Sequence, residues 1–111
     1  MQGLAPGDHG LHLHAVGRCD GPAFATAGAH WNPASRQHGH LNPDGAHAGD
    51  LPNLTVSANG HGAINFLATG GSLADGDGTS LVVHAGPDDY RTDPSGNSGD
   101  RIACAVLAPP R

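Results

Sequence analysis

The stretch Gly10–Val16 reads GLHLHAV, with His12 and His14 two residues apart. On a strand, residues i and i+2 point to the same face. Two imidazoles can therefore serve one metal from a single strand. Surface strands also carry such pairs by accident, so the pair needs company before it decides anything. Outward from it, short apolar or alternating runs stand between Gly, Asp, Asn and Pro clusters, the pattern of an all-β domain. Besides 10–16, strands are predicted near 54–58 (LTVSA), 62–68 (GAINFLA), 80–84 (SLVVH) and 102–107 (IACAVL). Asn59-Gly60 between the second and third is a hairpin-turn signal. Two long loops remain, about 17–53 and 85–100. Loops of that length without helical pattern are functional or disordered, and the first carries four histidines.

The composition agrees with short strands and shaped turns. The chain of 111 residues is one domain's worth, with 18 glycines, 9 prolines and 4% aromatics. All five basic residues are Arg and all ten acidic ones Asp, and the net charge of −5 argues against nucleic acid as partner. No run of eighteen apolar residues offers a membrane span. Met1–Gly10 lacks the basic and apolar regions of a signal peptide.

Histidine is the outlier, nine in 111 and scattered rather than in a tag-like run. Such a chain is a metal hypothesis first. His30, His38, His47 and Asp50 fall within 21 positions of one glycine-rich loop. Three imidazoles and a carboxylate suit tetrahedral zinc, with no thiol competing. His84 ends the apolar run Leu81-Val82-Val83, where it points at a site rather than at bulk water. With His12, His14 and a fourth histidine it makes an all-imidazole set suited to tetragonal Cu(II).

From Gly10 to Val106 the sequence resembles the Cu/Zn superoxide dismutase family. The HxH strand, Gly28-Ala29-His30-Trp31-Asn32-Pro33, the His38–His47–Asp50 loop, Leu81–His84 followed by Asp88-Asp89, and Gly96-Asn97-Ser98-Gly99-Asp100-Arg101-Ile102-Ala103-Cys104 occur in the family's order. The resemblance implies a Greek-key, immunoglobulin-like sandwich or barrel with two long functional loops. It implies one copper on His12, His14, His30 and His84, and one zinc on His30, His38, His47 and Asp50, with His30 bridging the two. It makes Asp88 the carboxylate that fixes a histidine of each site. Arg101 becomes the cation that draws in the superoxide anion, Cys19 and Cys104 a disulfide, and His9 a structural hydrogen-bonding histidine. Arg101 and His30 are then the catalytic residues. The implied activity is disproportionation of superoxide to O2 and H2O2.

Other residues have blander readings. His40 and His61 are solvated, Phe24 and Trp31 pack the loop, and Arg18, Arg36, Arg91 and Asp89 are surface charges. Asn53-Leu54-Thr55 fits a glycosylation pattern that is common by chance. Two cysteines 85 positions apart are compatible with a disulfide or with two free thiols. A disulfide, with the family, implies a periplasmic or secreted protein, whereas the absence of a signal peptide allows a cytoplasmic one. The family barrel has eight strands and this chain offers five candidates, the first already carrying ligands. The expectation is a single, N-terminally incomplete domain over 1–111, with about three strands missing and Met1–Asp8 the end of the preceding connection. A longer parent, pairing between chains such as a homodimer, and a metal-binding remnant without fast turnover all stay open.

Overall fold

Residues 5–20, 24–32, 37–39, 41–47, 49–58, 60, 62, 78–91, 96 and 98–108 are described by the computed structural model. Five strands run through them: β1 (Gly7–His9), β2 (Leu11–His14), β3 (Leu54–Val56), β4 (Thr79–His84) and β5 (Arg101–Ala108). The one helical element among these residues is a short 3-10 turn, Ala25–Ala27. Strands β1 and β3 form one antiparallel pair, and β2, β4 and β5 form a three-stranded antiparallel sheet in that order. The pairing of β1 with β3 and β2 with β4 skips sequence neighbours. That is the long-connection topology of a Greek key rather than a meander.

The alternation in β2 explains its place. Leu11 and Leu13 face the core with Val83, Leu54, Val56, Leu51 and Trp31. His12 and His14 face the other way and are equally buried, at 0% exposure. The core therefore lies between the two sheets, and the histidine face needs a second cover. The 17–53 loop supplies it. His30 lies opposite His14 and Asp50 opposite His12 as isolated antiparallel bridges. Backbone bonds run from Leu13 to Gly49, from Trp31 to Leu13 and from Leu51 to Leu11. Trp31, expected as loop packing, is part of the core.

The strand bounds differ from expectation by a residue or two, as element ends do. The larger correction is β1. Gly7 and Asp8 have poor strand propensity and were expected to end a connection, yet Gly7 pairs with Val56, Asp8 with Thr55 and the following His9 with Leu54. Cross-strand pairing overrides intrinsic preference. Most of the predicted 62–68 strand, and Asn59 of its turn, lie outside the described residues. The second loop folds back on itself through Ala85 to Asp100, Gly86 to Ser98 and Asp89 to Gly96. Its start and its end thus meet beside the end of β4.

Candidate metal centre

Seven predicted ligands meet on the histidine face. β2 gives His12 and His14, β4 gives His84, and the loop gives His30, His38, His47 and Asp50; all are buried. Consider first the four imidazoles around the end of β4. The Nε2–H of His12 donates to Asp88 Oδ2 at 2.7 Å, the Nδ1–H of His14 to the Gly28 carbonyl at 2.8 Å, and the Nδ1–H of His84 to the Gly99 carbonyl at 3.1 Å. Each ring is thus held by one nitrogen. The opposite nitrogens, His12 Nδ1, His14 Nε2 and His84 Nε2, are buried without a hydrogen-bond partner. Leaving a buried polar atom unmet costs about 1–3 kcal/mol. Three such atoms in one place mark a position for a ligand-accepting ion. Donor atoms of His12, His14, His30 and His84 all lie within 4.8 Å of one another, so one ion can reach all four.

Burial also fixes their protonation. Desolvation holds His12 down at about 4 and His14 at about 2, and lowers His30 and His84. The rings are neutral near neutral pH, with lone pairs available, as metal ligands must be.

The second group is tighter. Asp50 Oδ1 lies 3.0 Å from His30 Nδ1, 3.0 Å from His38 Nδ1 and 3.1 Å from His47 Nδ1, and the Nδ1 atoms of His30 and His47 are 3.3 Å apart. Four donors on a tetrahedral zinc with bonds of roughly 2.0–2.1 Å stand about 3.3 Å from each other. The four separations above, 3.0–3.3 Å, lie close to that spacing. Asp50 is fixed through its other oxygen, which accepts the backbone N–H of Gly39 at 3.1 Å and of His47 at 2.9 Å. Burial opposes its charge, but hydrogen bonds from His30, His38 and Gly39 win and hold the carboxyl well below its usual range. Burial likewise opposes a charged His38, but its bonds to Asp50 and Asp88 outweigh that and raise it to about 9.

Proximity alone also puts His12 beside His30, His38 and Asp50, within the same 4.8 Å. His12 Nε2 is committed to Asp88, so only Nδ1 is left and it can serve one ion. His30 differs. Its Nδ1 lies in the tight cluster while its ring stacks on His12 at 4.0 Å between centroids and meets His14 edge-on at 4.8 Å. It is the ring shared by both groups.

Asp88 ties the groups a second time. Its Oδ2 accepts from His12 and its Oδ1 from His38 Nε2 at 2.8 Å. The carboxyl is held below its normal range by these bonds and by the Tyr90 N–H, against the pull of burial. Room for it comes from Gly96, at φ 70°, where a Cβ would overlap Asp88 Oδ1 and crowd His38 Nε2. Arg101 opens β5 opposite His84. Its guanidinium donates to the carbonyls of Phe24 at 2.9 Å and Gly28 at 2.7 Å. Gly28 is the same carbonyl that holds His14. Cys19 and Cys104 form a disulfide with a Cα separation of 5.7 Å, pinning the ligand loop to β5. His9 is buried, its ring nitrogens each 2.7 Å from a carbonyl, of His84 and of Ala5.

The seven predicted ligands and Asp88 are thus brought together, Arg101 reaches them through the Gly28 carbonyl that also holds His14, and Cys19–Cys104 ties the loop to β5. His40 and His61 lie outside the described residues. Sequence reasoning missed Asn53 and Tyr90, which both bond to Asp88. Neither carries a motif, and Asn53 was set aside inside a chance glycosylation pattern.

Residues 1–107 match the family model described as copper/zinc superoxide dismutase. The chain is 45% identical over 105 residues to superoxide dismutase (Cu-Zn) 1 of Aquifex aeolicus, covering 87% of this chain and 62% of that protein. It is 44% identical over 117 residues to the Cu-Zn superoxide dismutase of Caulobacter vibrioides, covering 96% and 67%. The chain thus spans about three-fifths to two-thirds of the length of these relatives. The crystal structure of a superoxide-dismutase-like protein from Bacillus subtilis superposes with a TM-score of 0.88 at 43% identity, over 96% of this chain and 76% of that one.

Proposed function

The chain belongs to the copper/zinc superoxide dismutase family, and from that premise we propose that it disproportionates superoxide to O2 and H2O2. Copper is assigned to His12, His14, His30 and His84, and zinc to His30, His38, His47 and Asp50. The observation that carries the reading is the set of three unpartnered buried nitrogens within reach of His30, a ring shared with the Asp50-centred cluster of His30, His38 and His47. When bound, copper supplies the one-electron redox change and zinc a redox-inert charge that shapes the loop.

The protein's own groups do the rest. Asp88, Gly28 and Gly99 hold three rings in the tautomer that leaves the inward nitrogen bare. Arg101 provides a local cation in a chain of net charge −5, drawing a small anion to the site. Two of its five donors are spent on the Phe24 and Gly28 carbonyls, which aims the plane of the guanidinium. His30 is the proton carrier. Its Nδ1 is committed to the tight cluster, so Nε2 is the atom that takes up or releases a proton toward the reduced product. The Cys19–Cys104 disulfide and the bacterial relatives support a periplasmic or secreted location.

A second reading, a metal-binding protein without fast turnover, draws on β5, where Ile102, Val106 and Leu107 are 41–45% exposed. Apolar surface of that kind is what a loosely braced sheet shows. The test is metal content and superoxide dismutation on purified protein loaded with both metals, for the parent and His84→Ala. The parent is expected to hold one copper and one zinc with activity, and the variant zinc alone without activity. Equal loss of both metals in the variant refutes the ligand assignment. Full loading of the parent without turnover favours the second reading.

A further inference from the structure

The Asp88 carboxylate reaches both groups, yet nothing in the ligand motifs explains what aims it. Its backbone is held by Asn53: Asp88 N–H donates to Asn53 Oδ1 at 2.8 Å, and Asn53 Nδ2 donates to the Asp88 carbonyl at 3.1 Å. The side-chain amide thus plays the part of a neighbouring strand. Asn53 is aimed in turn by Tyr90, whose Oη accepts the Asn53 backbone N–H at 2.8 Å. Tyr90 closes the ring by donating its own N–H to Asp88 Oδ1 at 2.7 Å. That is the oxygen that accepts from His38.

Two further observations single out Tyr90. Its carbonyl accepts the N–H of Leu41 at 2.9 Å, and it lies so near Gly39 that a Cβ there would overlap the Tyr90 carbonyl group. Gly39 also donates to Asp50. Tyr90 therefore touches the 37–47 part of the ligand loop, Asn53 before β3, and Asp88. It does so at φ 63°, in the left-handed region. A bulky residue there costs roughly 1–2 kcal/mol. Strain of this kind persists only where the surroundings hold it, and it gathers at functional sites.

We infer that Tyr90 is a positioning residue: it holds the Asp88 carboxylate, and through it His38, in the zinc-binding arrangement. This rests on the reading of His30, His38, His47 and Asp50 as a zinc site. The Tyr90 main-chain N–H meets Oδ1, the oxygen that accepts from His38, while its Oη holds Asn53, whose amide holds the Asp88 backbone.

The experiment measures zinc affinity of the full-length chain by competition with a chelator, for the parent, Tyr90→Phe, Asp88→Asn and the double variant. The absorption spectrum of the cobalt-substituted zinc site is a second readout. Tyr90→Phe keeps the ring and the fold and removes only Oη. It is expected to weaken zinc binding about 10-fold, the low end for groups that orient ligands, and to shift the cobalt spectrum. In the Asp88→Asn background, Tyr90→Phe is expected to add little, since the two act as one unit. Additive losses, or an unchanged zinc affinity and cobalt spectrum in Tyr90→Phe, overturn the positioning role while leaving the zinc site intact. A parent that binds no zinc overturns the zinc reading, and the role of Tyr90 with it.

Discussion

Gly96→Ala places one methyl group at the most crowded point of the centre. The position has φ 70°, and the new Cβ would meet Asp88 Oδ1, Asp88 Cγ and His38 Nε2. A side chain in this backbone region costs roughly 1–2 kcal/mol. Pushing Asp88 aside forfeits a hydrogen bond to a charged group, about 1.5–3 kcal/mol more. The metal-free variant should therefore lose about 2.5–5 kcal/mol in urea unfolding, a large share of a small domain's stability of roughly 5–15 kcal/mol. Zinc affinity should fall about 10- to 100-fold, because His38 loses the group that aims it. Gly99 supplies the control. It has φ 80° but its nearest neighbour to a new Cβ is Ala85 at 3.8 Å. Gly99→Ala carries the strain without the collision, and should cost roughly 1–2 kcal/mol with zinc affinity unchanged. If the two variants lose equal stability and bind zinc alike, the space at Gly96 is not what lets Asp88 bridge the two groups.

Other outcomes are as definite. Arg101→Ala should keep both metals and slow dismutation, with the deficit largest at low ionic strength where attraction of the anion is least screened; an unchanged rate at low salt removes the steering role. Reducing the Cys19–Cys104 disulfide, which closes 85 positions of chain, should lower stability by up to roughly 4–5 kcal/mol by the chain-entropy account; denaturant midpoints with and without reductant measure it. Stability of the metal-free protein should peak at about pH 7, where the protons bound by these five histidines in the unfolded chain fall to the one that His38 keeps in the folded chain. Below that value the unfolded chain binds protons that buried His12, His14, His30 and His84 refuse, costing up to about 1.4 kcal/mol per pH unit for each. Above it, the contribution of His38, whose proton is held until about pH 9, is lost as pH rises through that range. Urea titrations from pH 5 to 9.5 that show a flat profile contradict this assignment of charges.

The proposed ligand set was readable because its information is local. His12 and His14 share a face by strand period alone, and His30 to Asp50 sit in one loop. His84 closes an apolar run that can only be a buried strand. The gaps have physical causes as well. Gly7 and Asp8 were read as the end of a connection from the family resemblance; they are weak strand formers, and pairing with β3 makes them extended. Arg101 was expected beside the copper ligands, but its grip on the Phe24 and Gly28 carbonyls depends on backbone atoms, which a sequence does not distinguish. Asn53 and Tyr90 act on Asp88 through main-chain groups 35 and two positions away, so no spacing rule announces them.

The three atoms that hold the copper-site rings come from Gly28, Asp88 and Gly99, whereas the tight His3Asp cluster is complete by residue 50. On the proposed assignment the donors for zinc come from one stretch of chain, whereas the rings of the copper site are held from positions 28, 88 and 99 and take their places only once distant parts of the fold have met.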